Sequence, residues 1–243
     1  HREAKRAYRD VVERVVEALG SMRFLDLAPD AMRLPSLPGQ YVLGDRGENL
    51  SSVLQAICAE KQSKEAMTNW LTALTPLDVV DFEFVPDQTG RILLNLVESD
   101  GRKTSAYSAS DGTLRFLAMI AALLGPSPAG FYFFEELENG IHPTRLHLLL
   151  QLIEQRVRDG RTQVVATSHS PQLLGFLSTE AQSHASLVYR LEDAPDARIR
   201  RIADIPHAQE LLEKGDMAKL HASGWLEDAV AFIDSEENGD DEQ

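Results

Sequence analysis

Cysteine is the scarcest signal in this chain: Cys58 is the one cysteine in 243 residues, and it cannot close an internal disulfide. That fits a reducing cytoplasm, the expected location. No apolar run approaches the roughly 20 residues needed to cross a bilayer, so a transmembrane helix is excluded and no membrane partner is expected. The first residues, HREAKRAYRD, lack the apolar core of a signal peptide. His1 stands where a Met would open a gene product, as expected of a segment cut from something longer. There is no internal repeat and no G-x-S-x-G elbow. His184, His207 and His221 show no metal-ligand spacing with any acid or cysteine.

Positive charge is also in short supply, with 24 Lys and Arg against 38 Asp and Glu and a net charge of −14. Such a surface repels phosphate backbones, which argues against a broad nucleic-acid platform and leaves nucleic acid as a partner only through a larger assembly. Part of the charge is the tail DSEENGDDEQ, residues 234–243, which has no apolar anchor after Ile233 and is expected to be disordered.

What is present is ordinary for a globular protein: 43% hydrophobic and 26% charged residues, in a chain long enough for one large domain or two small ones. Arg2 to Leu19 reads as an amphipathic helix, with Val11, Val12, Val15, Val16 and Leu19 at helical spacing. A short strand, MRFLDL, and a Pro-rich crossing follow. Asn49 to Glu60 and Ser63 to Leu74 read as helices, and Val79 to Val85 with Ile92 to Val97 as an antiparallel pair joined by the DQTG turn.

The second half changes character. Leu114 to Leu124 is apolar on every face except Arg115, the mark of a fully buried helix. Phe131 to Phe134 is a continuous apolar run, as expected of a strand covered on both sides, and QVVAT, Gln163 to Thr167, reads as a second buried strand. Pro143 to Arg158, with Pro in the first turn, is the helix between them. Strand, helix and strand at that spacing make a βαβ unit with parallel strands. A hairpin, SLVYRLED and ARIRRIAD, and helices around His207 to Lys214 and Met217 to Gly224 complete the chain.

Ligands of an open parallel sheet bind at the carboxyl ends of its strands. Here one strand ends in Glu135-Glu136 and the other in Ser168-His169, which puts two acids and a histidine along one edge. One acid can hold a hard cation such as Mg²⁺ while the other orients or deprotonates a water. SASDGTLR, Ser108 to Arg115, adds Ser110, Asp111 and Gly112 at the start of the buried helix, where free N–H groups and the helix dipole favour phosphate. Ser110 can cap that helix or donate to a phosphate oxygen, and Gly112 permits close backbone approach.

The order SASDGTLR, FYFFEELENGIHP, VVATSHSP resembles the AAA/ABC-type ATPases in their RecF/SMC/OLD-like branch, whose genes are often found in DNA repair and phage defence. The resemblance covers roughly Met22 to Leu177, and the three motifs are specific together. It implies an α/β fold, the C-terminal lobe of an ABC-type P-loop NTPase, with a mostly parallel sheet flanked by helices and a helical arm. It implies ATP and Mg²⁺ as cofactors. Ser110 to Thr113 stands at the signature motif that contacts the γ-phosphate of ATP held by the other subunit. Glu135 stands at the Walker B acid that supports Mg²⁺ through water, Glu136 at the catalytic glutamate and His169 at the switch histidine. Glu138 to His142, with Asn139 and His142 facing nucleotide, forms the D-loop region.

Three departures matter. Glu135 replaces the more usual Asp, Leu137 replaces a frequent proline, and Asp111 puts an anion where transporters have glycine, which disfavours a transporter cassette. The phosphate loop, GxxxxGK[ST], is missing. GQYVLGDR, Gly39 to Arg46, has the glycine spacing without the Lys-Ser/Thr and reads as a plain loop. The expected organisation is a helical arm with antiparallel strands over 1–105, the ATPase core lobe over 106–205, C-terminal helices over 206–233 and the acidic tail over 234–243.

Each feature also has a bland reading. The paired glutamates can favour a nearby helix dipole by about 0.3–1 kcal/mol each. Ser110 can be an N-cap worth about 1 kcal/mol. His169 can be a satisfied core histidine, and His142 before Pro143 is accounted for by helix capping alone. Ser168 and His169 are adjacent on a strand end and point to opposite faces, so they form no nucleophile pair. Arg115, a lone charge on a buried helix, needs either an internal carboxylate or a phosphate.

The favoured expectation is an ATPase subunit that forms a homodimer through its ATP sites and controls a separate nuclease or other effector. After His169 the chain is too short for a Toprim nuclease of its own. The competing expectation is a regulatory or scaffold module with a degenerate ATPase fold.

Overall fold

The long apolar helix near the middle of the chain organises everything around it. The computed structural model describes residues 2–74, 78–158, 160–191, 195–205 and 224, in two compact units divided after Ser168. In chain order the first unit contains α1 (Arg2–Gly20), β1 (Met22–Leu25), α2 (Pro29–Met32), α3 (Leu50–Cys58), α4 (Lys61–Leu74), β2 (Val79–Pro86), β3 (Ile92–Glu98) and β4 (Lys103–Ser105). It continues with α5 (Asp111–Leu124), β5 (Phe131–Phe134), α6 (Pro143–Val157) and β6 (Gln163–Ala166). Helix α5 is buried from Thr113 through Leu123 except at the half-buried Arg115, as its almost wholly apolar sequence predicts. Leu114, Leu117 and Ile120 are fully enclosed, each contributing about 1.5–3 kcal/mol relative to exposure.

Helices α2, α3 and α4 pack on this helix, and the unit has two sheets. Strands β1, β5 and β6 form a parallel sheet in that order, with Leu25 beside Phe134 and Phe134 beside Ala166 at the carboxyl end. The βαβ unit expected from the sequence is therefore present, with β1 as an additional neighbour. Strands β2, β3 and β4 form an antiparallel sheet whose central strand alternates strictly. Ile92, Leu94 and Leu96 face the core there, and the buried Glu98 accepts from Arg102 Nη2 and Thr104 Oγ1, each at 3.0 Å. Strand β5 is tied to α5 by Tyr132, whose hydroxyl donates to the Ala122 carbonyl at 2.6 Å and accepts from the Ala129 amide at 2.8 Å.

Two burial expectations are corrected. Among the described residues strand β6 pairs with β5 alone, at the edge of the sheet, and Val165 is 46% exposed. On β5, Tyr132 and Phe134 are buried, but Phe131 and Phe133 are half-buried on the opposite face beside Phe24, itself 59% exposed. An apolar run signals that a strand can be covered on both sides; coverage depends on what packs there. The valine stripe of α1 is likewise exposed, Val16 at 63%.

The second unit contains α7 (Pro171–Phe176), α8 (Thr179–Ser183), the antiparallel hairpin β7 (Ser186–Tyr189) and β8 (Arg198–Arg201), and a 3-10 turn at Ile202–Asp204. Gln182 holds it from within, its buried amide donating to the Leu174 carbonyl at 2.7 Å. The helices expected around His207 to Lys214 and Met217 to Gly224, and the acidic tail, lie outside the described residues apart from Gly224. Among the described residues no helix is long and apolar enough to cross a membrane.

Candidate functional site

The carboxyl end of β5 breaks into a turn that presents both glutamates to solvent and buries the residue after them. Leu137, 3% exposed, anchors that turn, and its amide donates to the Thr167 carbonyl at 3.0 Å. The position where a proline often stands is thus filled by an apolar plug that also uses its N–H. Glu136 has φ +48°, the one left-handed non-glycine backbone among the described residues. Such a conformation costs an ordinary side chain about 1–3 kcal/mol and persists only where its surroundings hold it. Here they do. The Glu136 amide donates to Thr167 Oγ1 at 3.1 Å, and the carboxylate accepts from Asn139 Nδ2 at 3.0 Å.

This strain gives a direct test in the folded protein. Glu136→Gly should be more stable than Glu136→Ala by about 1 kcal/mol, the reverse of the usual order, because glycine alone takes a left-handed backbone without strain. Denaturant titration of the two variants measures it. An alanine variant equal to or more stable than the glycine variant would show that the backbone is not held this way.

The start of α5 meets the same turn. Ser110 caps the helix, its Oγ accepting from the Thr113 amide at 3.1 Å and lying 2.8 Å from Thr113 Oγ1. Asp111 accepts from Arg33 Nη2 at 2.7 Å, and the same guanidinium donates to the Ala109 carbonyl at 2.9 Å and the Tyr107 carbonyl at 3.3 Å. Gly112 packs backbone to backbone on Gly140: a Cβ built on Gly112 would overlap the Gly140 carbonyl oxygen and lie 2.9 Å from its carbon. The close approach expected of Gly112 is therefore made to the turn after the glutamates.

Ser110, Asp111, Gly112, Thr113, Glu135, Glu136, Asn139 and His142 all lie in the first unit. Asn139 is brought to Glu136, and Gly112 to the Asn139–Gly140 segment. His142 is exposed, and its carbonyl accepts from the Arg145 amide at 2.8 Å in the first turn of α6, so capping is visible there. His169 is exposed and opens the second unit, three residues after β6 ends. Thr167 and Arg33 went unremarked in the sequence. Thr167 ends the QVVAT run one residue before Ser168-His169, which was a usable signal; Arg33 carried none.

The Gly39–Arg46 loop is not a phosphate cradle, because the Glu48 carboxylate packs over Gly44 and accepts from the Arg46 amide at 3.2 Å. Burial pushes the Cys58 thiol up to about 12, which leaves it un-ionised and poorly nucleophilic at neutral pH. Among the described residues no three His, Cys, Asp or Glu side chains gather as a metal cage. The exposed hard oxygens of Glu135 suit a cation that keeps most of its waters, as Mg²⁺ does.

A family profile described as "AAA domain, putative AbiEii toxin, Type IV TA system" matches residues 10–175, more than half of the chain. No curated protein sequence matches. Among solved structures, the Smc head domain with a coiled coil and joint from Pyrococcus yayanosii is similar at 14% identity and a TM-score of 0.46, over 68% of this chain and 30% of that one. An SMC ATPase from work on ATP-driven dimerization and DNA stimulated activation is similar at 12% identity and 0.45, over 66% and 91%. The Pyrococcus furiosus Smc head bound to the C-terminal domain of ScpA is similar at 12% and 0.46, over 67% and 38%. The chain thus spans 30% and 38% of the lengths of the two Pyrococcus chains. On the match across residues 10–175, this chain belongs to the AAA-domain family.

Proposed function

We propose that the chain is part of an ATP-hydrolysing enzyme that dimerises around two ATP molecules and thereby controls a separate effector acting on nucleic acid, in phage defence or DNA repair. The observation that carries the reading is Glu136. It is an exposed acid at the carboxyl end of a parallel strand, held in a strained backbone by Thr167 and Asn139. Strain of this kind collects at functional sites. Membership of an ATPase family supports nucleotide as the ligand.

In this reading Glu136 accepts a proton from, or orients, the water that attacks the γ-phosphate, and Asn139 fixes which way its carboxylate faces. Mg²⁺ held near Glu135 would neutralise charge on the phosphates. Ser110 and Thr113, with the N–H groups of the α5 start, would meet the γ-phosphate of the nucleotide held by a second copy, and His169 would act as the switch histidine. The phosphate loop would come from a lobe outside these residues, since the Gly39–Arg46 loop is occupied by Glu48. That same occupied loop is what favours the second reading, a regulatory module that does not turn over nucleotide.

The test is phosphate release from ATP by the protein as its gene encodes it, with and without Mg²⁺, for wild type and Glu136→Gln. Mg²⁺-dependent turnover lost in the variant supports the reading. No turnover in wild type, or equal turnover in both, refutes it.

A further inference from the structure

Arg115 remains unexplained by the roles above. It is half-buried on a helix whose other inward residues, apart from Thr113, are apolar, and among the described residues it makes no hydrogen bond and no ion pair. A guanidinium at the edge of an apolar surface, with no protein partner, keeps its donors available for an anionic ligand. The internal-carboxylate alternative raised by the sequence is not met among the described residues.

Its position narrows the choice. Arg115, Glu135, Glu136 and Asn139 supply the polar lining of one small, otherwise apolar cleft of about 10 Å³, room for a single water, so any larger group sits at the mouth. The Arg115 side chain runs alongside Gly140, its Cδ 3.7 Å from where a Gly140 Cβ would be, so it reaches the turn that carries the glutamates. Helical side chains also lean toward their own N-terminus, which here is the end that meets the glutamate turn. A cation therefore stands beside two acids without neutralising either. Two acids and a guanidinium around one opening suit a ligand with both signs of charge, a cation and the anion it carries.

We propose that Arg115 contacts the terminal phosphate of a metal-bound nucleoside triphosphate at the Glu135–Glu136 cleft. This rests on the ATPase reading, and it adds a phosphate-binding residue drawn from the second turn of α5.

The experiment uses the protein as its gene encodes it in a Glu136→Gln background, which removes turnover. Binding of Mg²⁺-ATP and Mg²⁺-ADP is measured by titration calorimetry after Arg115→Met and Arg115→Lys. A charge-assisted contact to the terminal phosphate predicts ATP binding about 10- to 100-fold weaker in Arg115→Met. ADP binding should stay unchanged, and Arg115→Lys should recover part of the loss. Because Arg115 makes no bond here, Arg115→Met should melt no lower than its parent; a lower melting point with ATP and ADP weakened alike would mean a structural role and overturn the proposal. Unchanged ATP binding would also overturn it while leaving the ATPase reading intact. Failure of the Glu136→Gln parent to bind ATP at all would sink that reading, and the Arg115 proposal with it.

Discussion

Glu136→Gln is expected to cut ATP turnover by about 10²–10⁴ while nucleotide binding persists, the usual loss when a positioned general base is removed. Glutamine keeps the size of the side chain and an acceptor oxygen for Asn139 Nδ2, so the bond seen at 3.0 Å can survive. What goes is the negative charge that polarises the attacking water. The left-handed backbone at φ +48° is common to both residues, so the variant should fold as wild type does. Steady-state phosphate release and equilibrium ATP binding, measured on the same preparations, separate the two effects. A fall in binding equal to the fall in turnover would place Glu136 in ligand binding and not in the chemical step.

The second large effect is expected at Gly112. Its backbone is ordinary helix, so alanine there should by propensity stabilise the protein by up to about 1 kcal/mol. The contact with Gly140 reverses that sign. A methyl group on Gly112 overlaps the Gly140 carbonyl, and relief requires backbone to move on one side or the other. Overpacking of this kind costs about 1–3 kcal/mol. Gly140 cannot easily yield, since it holds φ +77° in the turn that carries Asn139. Gly112→Ala should therefore lower the melting temperature and, by displacing Asn139, lower turnover as well. A variant as stable and as active as wild type would mean that α5 and the glutamate turn do not touch.

Much of this arrangement was legible in the sequence, and the parts that were not share a cause. Helix α5 was readable because ten buried positions, interrupted only by Arg115, leave no polar face, and Ser110 because a cap acts over three residues. The β5–α6–β6 unit was readable because chirality and length leave one simple solution. Local rules do not report which neighbours exist. The exposure of Val165, of Phe24 and of the α1 valines depends on what lies across from them, and apolar sequence is silent on that. Strand β1 beside β5, and Arg33 reaching Asp111 from 78 positions away, are long-range pairings that no period encodes. Within the site, residue types were readable and geometry was not. The adjacency of Glu135 and Glu136 marked the position, whereas the positive φ, the Thr167 support and the Gly112–Gly140 contact needed the fold.

The sharpest single measurement is the mass of the Glu136→Gln protein in solution by light scattering, with Mg²⁺-ATP and with Mg²⁺-ADP. Two copies closing around ATP, each adding its α5 start to the other's nucleotide, predict a doubling of mass with ATP and none with ADP. One mass under both conditions, with ATP shown to be bound, would contradict a site completed by a second copy.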